Sequence, residues 1–344
     1  MKDDKPTSFD IAYLAGVSQS TVSRALRGSP LVNLETRQKV EEIARQLNYQ
    51  VDRTASRLRG KQTKTIALLL CEDPGWGDSQ INPFFVAILS SIAHAVASHG
   101  YDLLLSFQQL SDDWGADFES AHRADGIILL GYGDHVSFRA KLEQLQQSGA
   151  HFVSWGSQVD NLADTCIVGC DNFRSGQAMT EHLLALGRQR IVFIGDISEQ
   201  SPEFAERYQG YCQALTAANS EPAPELQVNI VSSSEESGYQ AIRNLMQKNV
   251  SFDAVFGASD LIALGALQAL VDAQYQVPDQ VSVVGFDDIP IAAYAHPPLT
   301  TMRQDTQAAG TLLVDKLLKI IAGETVESVL VPTELVIRKS CSNN

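Results

Sequence analysis

"AGVSQSTVSRALRG", Ala15–Gly28, sets polar and apolar residues in a helical rhythm. Ser18, Gln19, Ser20, Thr21, Ser23 and Arg24 crowd its middle, while Val17, Val22, Ala25 and Leu26 recur at helical spacing. The pattern predicts a short helix with one apolar stripe and an exposed polar face. Upstream, Thr7 and Asp10 have capping-box spacing, and Ile11, Leu14 and Ala15 supply the stripe of a preceding helix. Gly16 ends that helix and turns the chain, Ser18 caps the next one, and Gly28-Ser29-Pro30 breaks it. Asn33 opens a third helix, "LETRQKVEEIARQLNY", with Val40, Ile43, Ala44 and Leu47 on its buried face. Helix, tight glycine turn and helix form a helix-turn-helix, a unit whose second helix enters a DNA major groove.

The charge distribution agrees with that reading. The 344 residues carry a formal net charge of -15, with 26 Lys+Arg and 41 Asp+Glu. Through Lys64 there are 12 basic and 7 acidic residues, which leaves 14 basic and 34 acidic residues in the remainder. A head of +5 precedes a body of -20, an asymmetry that suits a nucleic-acid-binding module joined to a different function. At 44% hydrophobic and 19% charged, the chain has an ordinary globular composition. It contains no apolar run of about 18 residues, so no membrane span is expected. "MKDDKPTSFD" is too polar for a secretory signal, and a cytoplasmic location is expected. The cysteines, 5 in number, form no C-x-x-C pair. They read as reduced thiols, with Cys166 and Cys170 as packing residues rather than metal ligands.

From Thr65 onward apolar runs alternate with amphipathic stretches. "TIALLL", "YDLLLSF", "DGIILLG", "HFVSWG" and "TCIVGC" read as strands of one series. "RIVFIG", "LQVNIV", "AVFGAS" and "VSVVGF" read as a second series, and "SVLVPTELVIRKS" as the last strand. Helices are expected at "PFFVAILSSIAHAVASHG", around 114–122 and 136–148, up to Gly187, from Glu203, around 237–247, from Leu261 and over Thr306–Ile321. Continuous apolar strands between helices predict parallel sheets covered on both faces, here as two doubly wound lobes. In such folds ligands bind at the carboxyl ends of strands, which places the site between the lobes.

The head and its continuation resemble the lac repressor (LacI/GalR) family. The match runs from "IAYLAGVSQSTVSRALRGSPLVNLETRQKVEEIARQLNY" through the hinge "DRTASRLRG". It goes on through "NPFF", "GCDNFRSG", "HLLALGRQRI", "ERYQGY", "SDLIALG", "VVGFDD" and "PPLTTMRQD", in order and over essentially the whole chain. The resemblance implies a dimeric transcription regulator with a periplasmic-binding-protein-like body, whose ligand alters its affinity for an operator. The expected organisation is a three-helix helix-turn-helix head over 1–51, a hinge helix or linker over 52–64 and an effector-binding body over 65–344. Lobe 1 is expected at about 65–167 and 303–330, and lobe 2 at about 168–302 and 331–344.

By the resemblance Gln19, Ser20 and Arg24 face base edges. Gln pairs bidentately with adenine and Arg with guanine, which fits that role. Thr7, Ser18, Thr21 and Ser23 suit capping and phosphate contacts, which position without specifying. Residues 53–59 are long enough for about two helical turns, unstable alone in water. In this hinge Leu58 stands among Arg57, Arg59 and Lys61 with little core to enter. The family's matching leucine wedges into the minor groove, where apolar wedges kink a duplex. Ala55 and Ser56 allow close approach, and Arg57 adds charge beside the wedge. The operator is expected to be a pseudo-palindromic double-stranded site, mirroring the dimer.

Phe84, Phe85 and Trp155 fall at strand and helix ends facing the crevice, where aromatic rings suit the apolar face of a sugar. Arg207 and Asp287 match the family's ligand-binding arginine and acid, a donor fork and an acceptor for neighbouring hydroxyls. Ser259 and Asp260 stand where many members have Asn-Asp. The loop holding Trp76 is longer than usual. These features predict a repressor of carbohydrate-utilisation genes released by a sugar, with a purine-type corepressor as the alternative. A sugar-binding protein without DNA binding would leave the basic head unexplained. No P-loop, H-E-x-x-H, G-x-S-x-G or compact nucleophile–base motif occurs, so neither an enzyme nor a catalytic, metal or cofactor site is expected. The chain ends "VIRKSCSNN" without a leucine heptad, which points to a homodimer rather than a tetramer.

Overall fold

A computed structural model describes residues 6–26, 28–49, 62–71, 81–108, 116–131, 135–157 and 165–342. Ala55, Ser56, Arg57, Leu58 and Trp76 lie outside them. The chain divides into two units, Met1–Thr63 and Lys64–Asn344.

The first unit contains α1 (Ser8–Ala15), α2 (Gln19–Leu26) and α3 (Leu34–Gln46). The Asp10 carboxylate accepts the Thr7 amide at 2.7 Å and the Thr7 hydroxyl at 2.8 Å, holding the start of α1. Gly16 takes a φ of 70°, a left-handed conformation that lets α1 stop and α2 start three residues later. Ser18 Oγ accepts the Thr21 amide at 3.2 Å, and Asn33 Oδ1 accepts the Thr36 amide at 2.8 Å. Ile11, Val22, Ala25 and Val40 close the small core between the helices. Leu14 departs from the expected stripe and is 53% exposed, because α1 buries Ile11, Ala12 and Ala15 instead. Arg37 of α3 donates to the carbonyls of Gly28 at 3.1 Å and Ser29 at 2.9 Å, tying α3 to the end of α2.

The second unit has two sheets. Lobe 1 holds β1 (Thr65–Cys71), β2 (Asp102–Gln108), β3 (Gly126–Leu130), β4 (Phe152–Trp155), β5 (Cys166–Cys170) and β11 (Val329–Val331), in the order β11-β5-β4-β3-β1-β2. All its pairings are parallel. Lobe 2 holds β6 (Ile191–Ile194), β7 (Gln227–Val228), β8 (Ala254–Gly257), β9 (Ser282–Asp287), β10 (Thr300–Gln304) and β12 (Thr333–Val336), in the order β12-β10-β9-β8-β6-β7. Only β12 runs antiparallel to its neighbour. The strands read as unbroken apolar runs because both faces are covered. Ile66, Leu68 and Leu70 of β1 join one core, and Ala67 and Leu69 join another. α4 (Pro83–Ser98) and α10 (Thr306–Ile321) pack against each other on lobe 1, and α5 (His135–Gln147) covers its opposite face with Phe138, Leu142 and Leu145. Lobe 2 carries α6 (Asn172–Ala185), α7 (Pro202–Ala217), α8 (Glu235–Gln247) and α9 (Asp260–Asp272).

Several expected boundaries move. The lobe 1 sheet keeps β5 through Cys170, so the expected division at 167/168 falls inside that strand. β10 belongs wholly to lobe 2, so 302/303 falls inside a strand as well. The single last strand is two, β11 and β12, in different sheets on either side of Pro332, which has no amide to continue a ladder. The helix expected around 114–122 is described only as one turn over Ala116–Ser120.

Candidate functional site

On α2, Ser20 and Arg24 are exposed, and Arg24 lies a turn beyond Gln19. Gln19 is half-buried and its amide donates to Ser8 Oγ of α1 at 3.0 Å, which sets the side chain's direction. Ser18 Oγ shares hydrogen bonds with Ser20 Oγ at 2.8 Å and Thr21 Oγ1 at 2.9 Å, so these hydroxyls brace the start of α2. Thr21 and Ser23 are half-buried beside the exposed face, and Thr7 sits exposed at the start of α1.

In the body, the candidate residues gather at the carboxyl ends of both sheets. Phe84 and Phe85 follow the α4 cap Asn82, whose Oδ1 accepts the Phe84 amide at 3.0 Å. Trp155 ends β4. Phe84 lies 5.5 Å from Phe85 and 5.7 Å from Trp155 between ring centroids, so lobe 1 contributes one aromatic cluster. Phe84 and Trp155 are largely buried in it and Phe85 is half-buried.

Lobe 2 contributes the charges. Arg207, one turn into α7, is 4% exposed. Its Nε donates to Asn172 Oδ1 at 2.9 Å, and its Nη1 donates to the Ala258 carbonyl. The guanidinium lies 3.5 Å from the centroid of the Phe286 ring, a desolvated cation–π contact. Among the described residues Nη2 makes no hydrogen bond, which leaves one fork of the cation for another acceptor. Close helix packing fixes this arrangement. A side chain at Gly176 of α6 would come within 2.2 Å of the Arg207 carbonyl, and one at Gly210 within 2.1 Å of the Phe173 carbonyl. Any larger residue there drives α7 from α6 and moves the guanidinium.

Asp287 closes β9 with a φ of 117°, a conformation that side-chain-bearing residues rarely adopt. Its Oδ1 accepts the Gln304 amide at 2.8 Å. Burial raises its carboxyl to about 6, a rise that the Arg207 charge limits. The next residue, Asp288, also has a positive φ of 57° and is clamped by Arg303 at 2.7 Å and Arg338 at 2.6 Å.

Asp260 and Ser259 are buried and hydrogen-bonded within lobe 2. Asp260 is fully buried, and its oxygens accept the Thr301 hydroxyl and, at 2.8 Å, the Ile289 amide. Burial, and then the charge of Asp287, hold its carboxyl well above the usual range. Its carboxyl therefore braces the loop after β9. Ser259 is 1% exposed; its hydroxyl caps α9 at the Ile262 amide and pairs with Ser233 Oγ at 2.8 Å.

Residues not singled out from the sequence join the two lobes. Ser157, just after β4, donates its hydroxyl to Glu206 Oε1 at 2.8 Å, and its backbone amide bonds to the Glu203 carboxylate. Asn172 Nδ2 donates to Glu206 Oε2 at 3.1 Å, which links this contact to Arg207. Burial pushes Glu203 up to about 7 and raises Glu206 as well. Asn172 and Gln304 lie inside the quoted motifs "GCDNFRSG" and "TTMRQD"; Glu203, Glu206 and Ser157 carry no local signature. Cys170 is buried beside Arg207, and burial lifts its thiol to about 12, so it packs as an inert thiol. Among the described residues no group of three His, Cys, Asp or Glu side chains suits a metal ion. Nor is any described helix long and apolar enough to cross a membrane.

Residues 9–52 match the bacterial regulatory proteins of the lacI family, and residues 180–341 match the periplasmic binding protein-like domain. The HTH-type transcriptional regulator CelR of Thermobifida fusca is 31% identical over 341 residues, 98% of each chain. The solved CelR–cellobiose complex aligns with a TM-score of 0.72 at 30% identity, covering 97% of this chain and 99% of that one. The lac repressor dimer bound to operator and the anti-inducer ONPF aligns with a TM-score of 0.84 at 27% identity, covering 98% and 99%.

Proposed function

Because the chain belongs to the lacI family of bacterial regulatory proteins, and is a sequence-specific DNA-binding transcriptional repressor, we propose that it is a homodimer released from its operator by a sugar bound between the body lobes. The sugar reading is supported by the Phe84–Trp155 cluster at the strand ends of lobe 1 together with Arg207 and Asp287 at the strand ends of lobe 2. Rings cover an apolar sugar face while a fork and a carboxylate hold its hydroxyls. The solved CelR complex contains cellobiose, so a neutral disaccharide of that kind is the first probe.

On the DNA side, Gln19, Ser20 and Arg24 read bases, while Thr7, Ser18, Thr21 and Ser23 set the helix against phosphates. Ala55, Ser56, Arg57 and Leu58 serve the minor groove. β2 is the outermost strand of the lobe 1 sheet among the described residues, and its Leu105 and Phe107 are exposed, which supports assembly through the body. Release requires the sugar to bind the DNA-free state more tightly than the operator-bound state. Operator must then weaken sugar binding by the same factor.

The test is a gel shift on the protein's own upstream promoter fragment. Cellobiose is expected to weaken the shift, and Arg24→Ala to lose specific binding, by about 1–3 kcal/mol. A tighter shift with ligand would establish corepressor logic instead, and an unchanged footprint for Arg24→Ala would remove that residue from base reading.

A further inference from the structure

The left-handed turn at Gly16 brings the start of α2 back against the first turn of α1, so Ser8 and Gln19 meet although they are 11 positions apart. Gln19 Nε2 donates to Ser8 Oγ at 3.0 Å, and both residues are half-buried. Among the described residues this is the one side-chain hydrogen bond that Gln19 makes. The surrounding polar groups are engaged with each other. Ser18 Oγ bonds to Ser20 Oγ, to Thr21 Oγ1 and to the Thr21 amide, and Asp10 holds the Thr7 amide and hydroxyl. The start of each helix is thus held through Thr7, Asp10 and Ser18, and the Ser8 hydroxyl serves Gln19 instead.

That bond changes what the glutamine has left for a base edge. A free glutamine amide carries two N–H donors and one carbonyl acceptor. Its oxygen and one N–H match the N6 donor and N7 acceptor of adenine, while its two N–H groups can serve the N7 and O6 acceptors of guanine. With one N–H given to Ser8, a single donor and a single acceptor remain. They are the complement of adenine. Guanine then has one acceptor without a donor, and its O6 meets the amide oxygen. Cytosine and thymine each present one hydrogen-bonding group in the major groove, so they gain less from either form of the amide.

We propose that Ser8 is a positioning residue for DNA specificity: by holding one N–H of Gln19, it makes that glutamine a reader of adenine that rejects guanine. This rests on the base-reading role given to Gln19 above. Ser8 acts through Gln19 alone. Its hydroxyl orients the amide before DNA arrives and removes the donor that a guanine would need.

The test selects sites from a randomised double-stranded DNA library with the full-length protein, then measures gel shifts on the selected site and its single-base variants. Gln19→Ala marks the position that Gln19 reads, as the one where base preference collapses. There the unaltered protein is expected to favour adenine over guanine at least about tenfold, and Ser8→Ala to cut that ratio to about threefold or less. The change should come chiefly from tighter binding of the guanine variant, with preference at other positions unaltered. Ser8→Thr keeps a hydroxyl and is expected to keep the ratio. Should Ser8→Ala fail to fold, Ser8→Val, close in shape to the Thr variant, takes its place. An unchanged ratio, including equal losses on the adenine and guanine sites, reduces Ser8 to a structural residue; it overturns the proposal and leaves Gln19 a base reader. A preferred base other than adenine at that position in the unaltered protein overturns it as well. If Gln19→Ala alters no base preference, base reading by Gln19 fails and the role of Ser8 with it.

Discussion

The two lobes share a strand order and present different chemistry to the crevice between them. Numbered within each lobe, both sheets run last-five-four-three-one-two. Yet the described lobe 1 wall is aromatic, with Phe84, Phe85 and Trp155, while the lobe 2 wall is ionic, with Arg207, Asp287, Glu203 and Glu206. The same scaffold thus supplies an apolar face and a hydrogen-bonding face. The contrast shows that the scaffold sets where a wall stands and the residues at strand ends set what it binds.

Breaking the ionic wall has the largest expected effect. Arg207→Ala removes the fork and its hydrogen bonds to Asn172 Oδ1 and the Ala258 carbonyl. Effector affinity is expected to fall by about a hundredfold, on the order of 3 kcal/mol, in calorimetric titration with operator binding retained. Retained sugar affinity would show that lobe 2 does not hold the ligand. Breaking the aromatic wall comes next. Trp155→Ala is expected to weaken the sugar about thirtyfold and, because the ring is packed on Phe84, to cost about 3–5 kcal/mol of stability. Trp155→Phe should recover most of the stability and only part of the affinity, and thermal melts with and without sugar separate the two.

A smaller effect tests how the ionic wall is aimed. Arg338→Ala loosens the clamp on Asp288 and so the positive-φ turn that carries Asp287. Affinity is expected to drop about fivefold with a normal operator gel shift; a wild-type value would mean that Arg303 suffices.

The smallest effect is with pH. Burial raises Asp287 to about 6, so its folded form keeps a proton that the unfolded chain has already released. Its contribution to stability is fullest below the unfolded value and declines as pH rises through about 6. Ligand hydroxyls donate to the ionised form, so sugar affinity follows the opposite course and falls about fourfold from about pH 7.5 to 5.5. Binding near pH 6 should release protons, visible as a buffer-dependent enthalpy, and Asp287→Asn should abolish that release.

Legibility follows sequence distance. Thr7 with Asp10, Ser18 with Thr21 and Asn33 with Thr36 are local pairs, and all bond in the structure. Strands covered on both faces are equally plain, because burial on two sides leaves an unbroken apolar run. Ser157 with Glu206 and Asp287 with Gln304 are pairs that only the packing of separate elements creates. Asp260 shows the other side of this. Its motif position is legible, but its hydrogen bonds to Thr301 and Ile289, residues far along the chain, are not.

By itself the sequence determined the helix-turn-helix, the two wound lobes and the crevice end of the sheets, because capping, turn and burial patterns act over a few residues. Tertiary structure decided where the chain passes between sheets, at Cys170, after Gln304 and at Pro332, since sheet membership depends on which edge is free to pair. It also decided the charge of the crevice. Arg207 and its neighbouring carboxylates acquire their character from being packed together out of water, and that proximity has no one-dimensional signal.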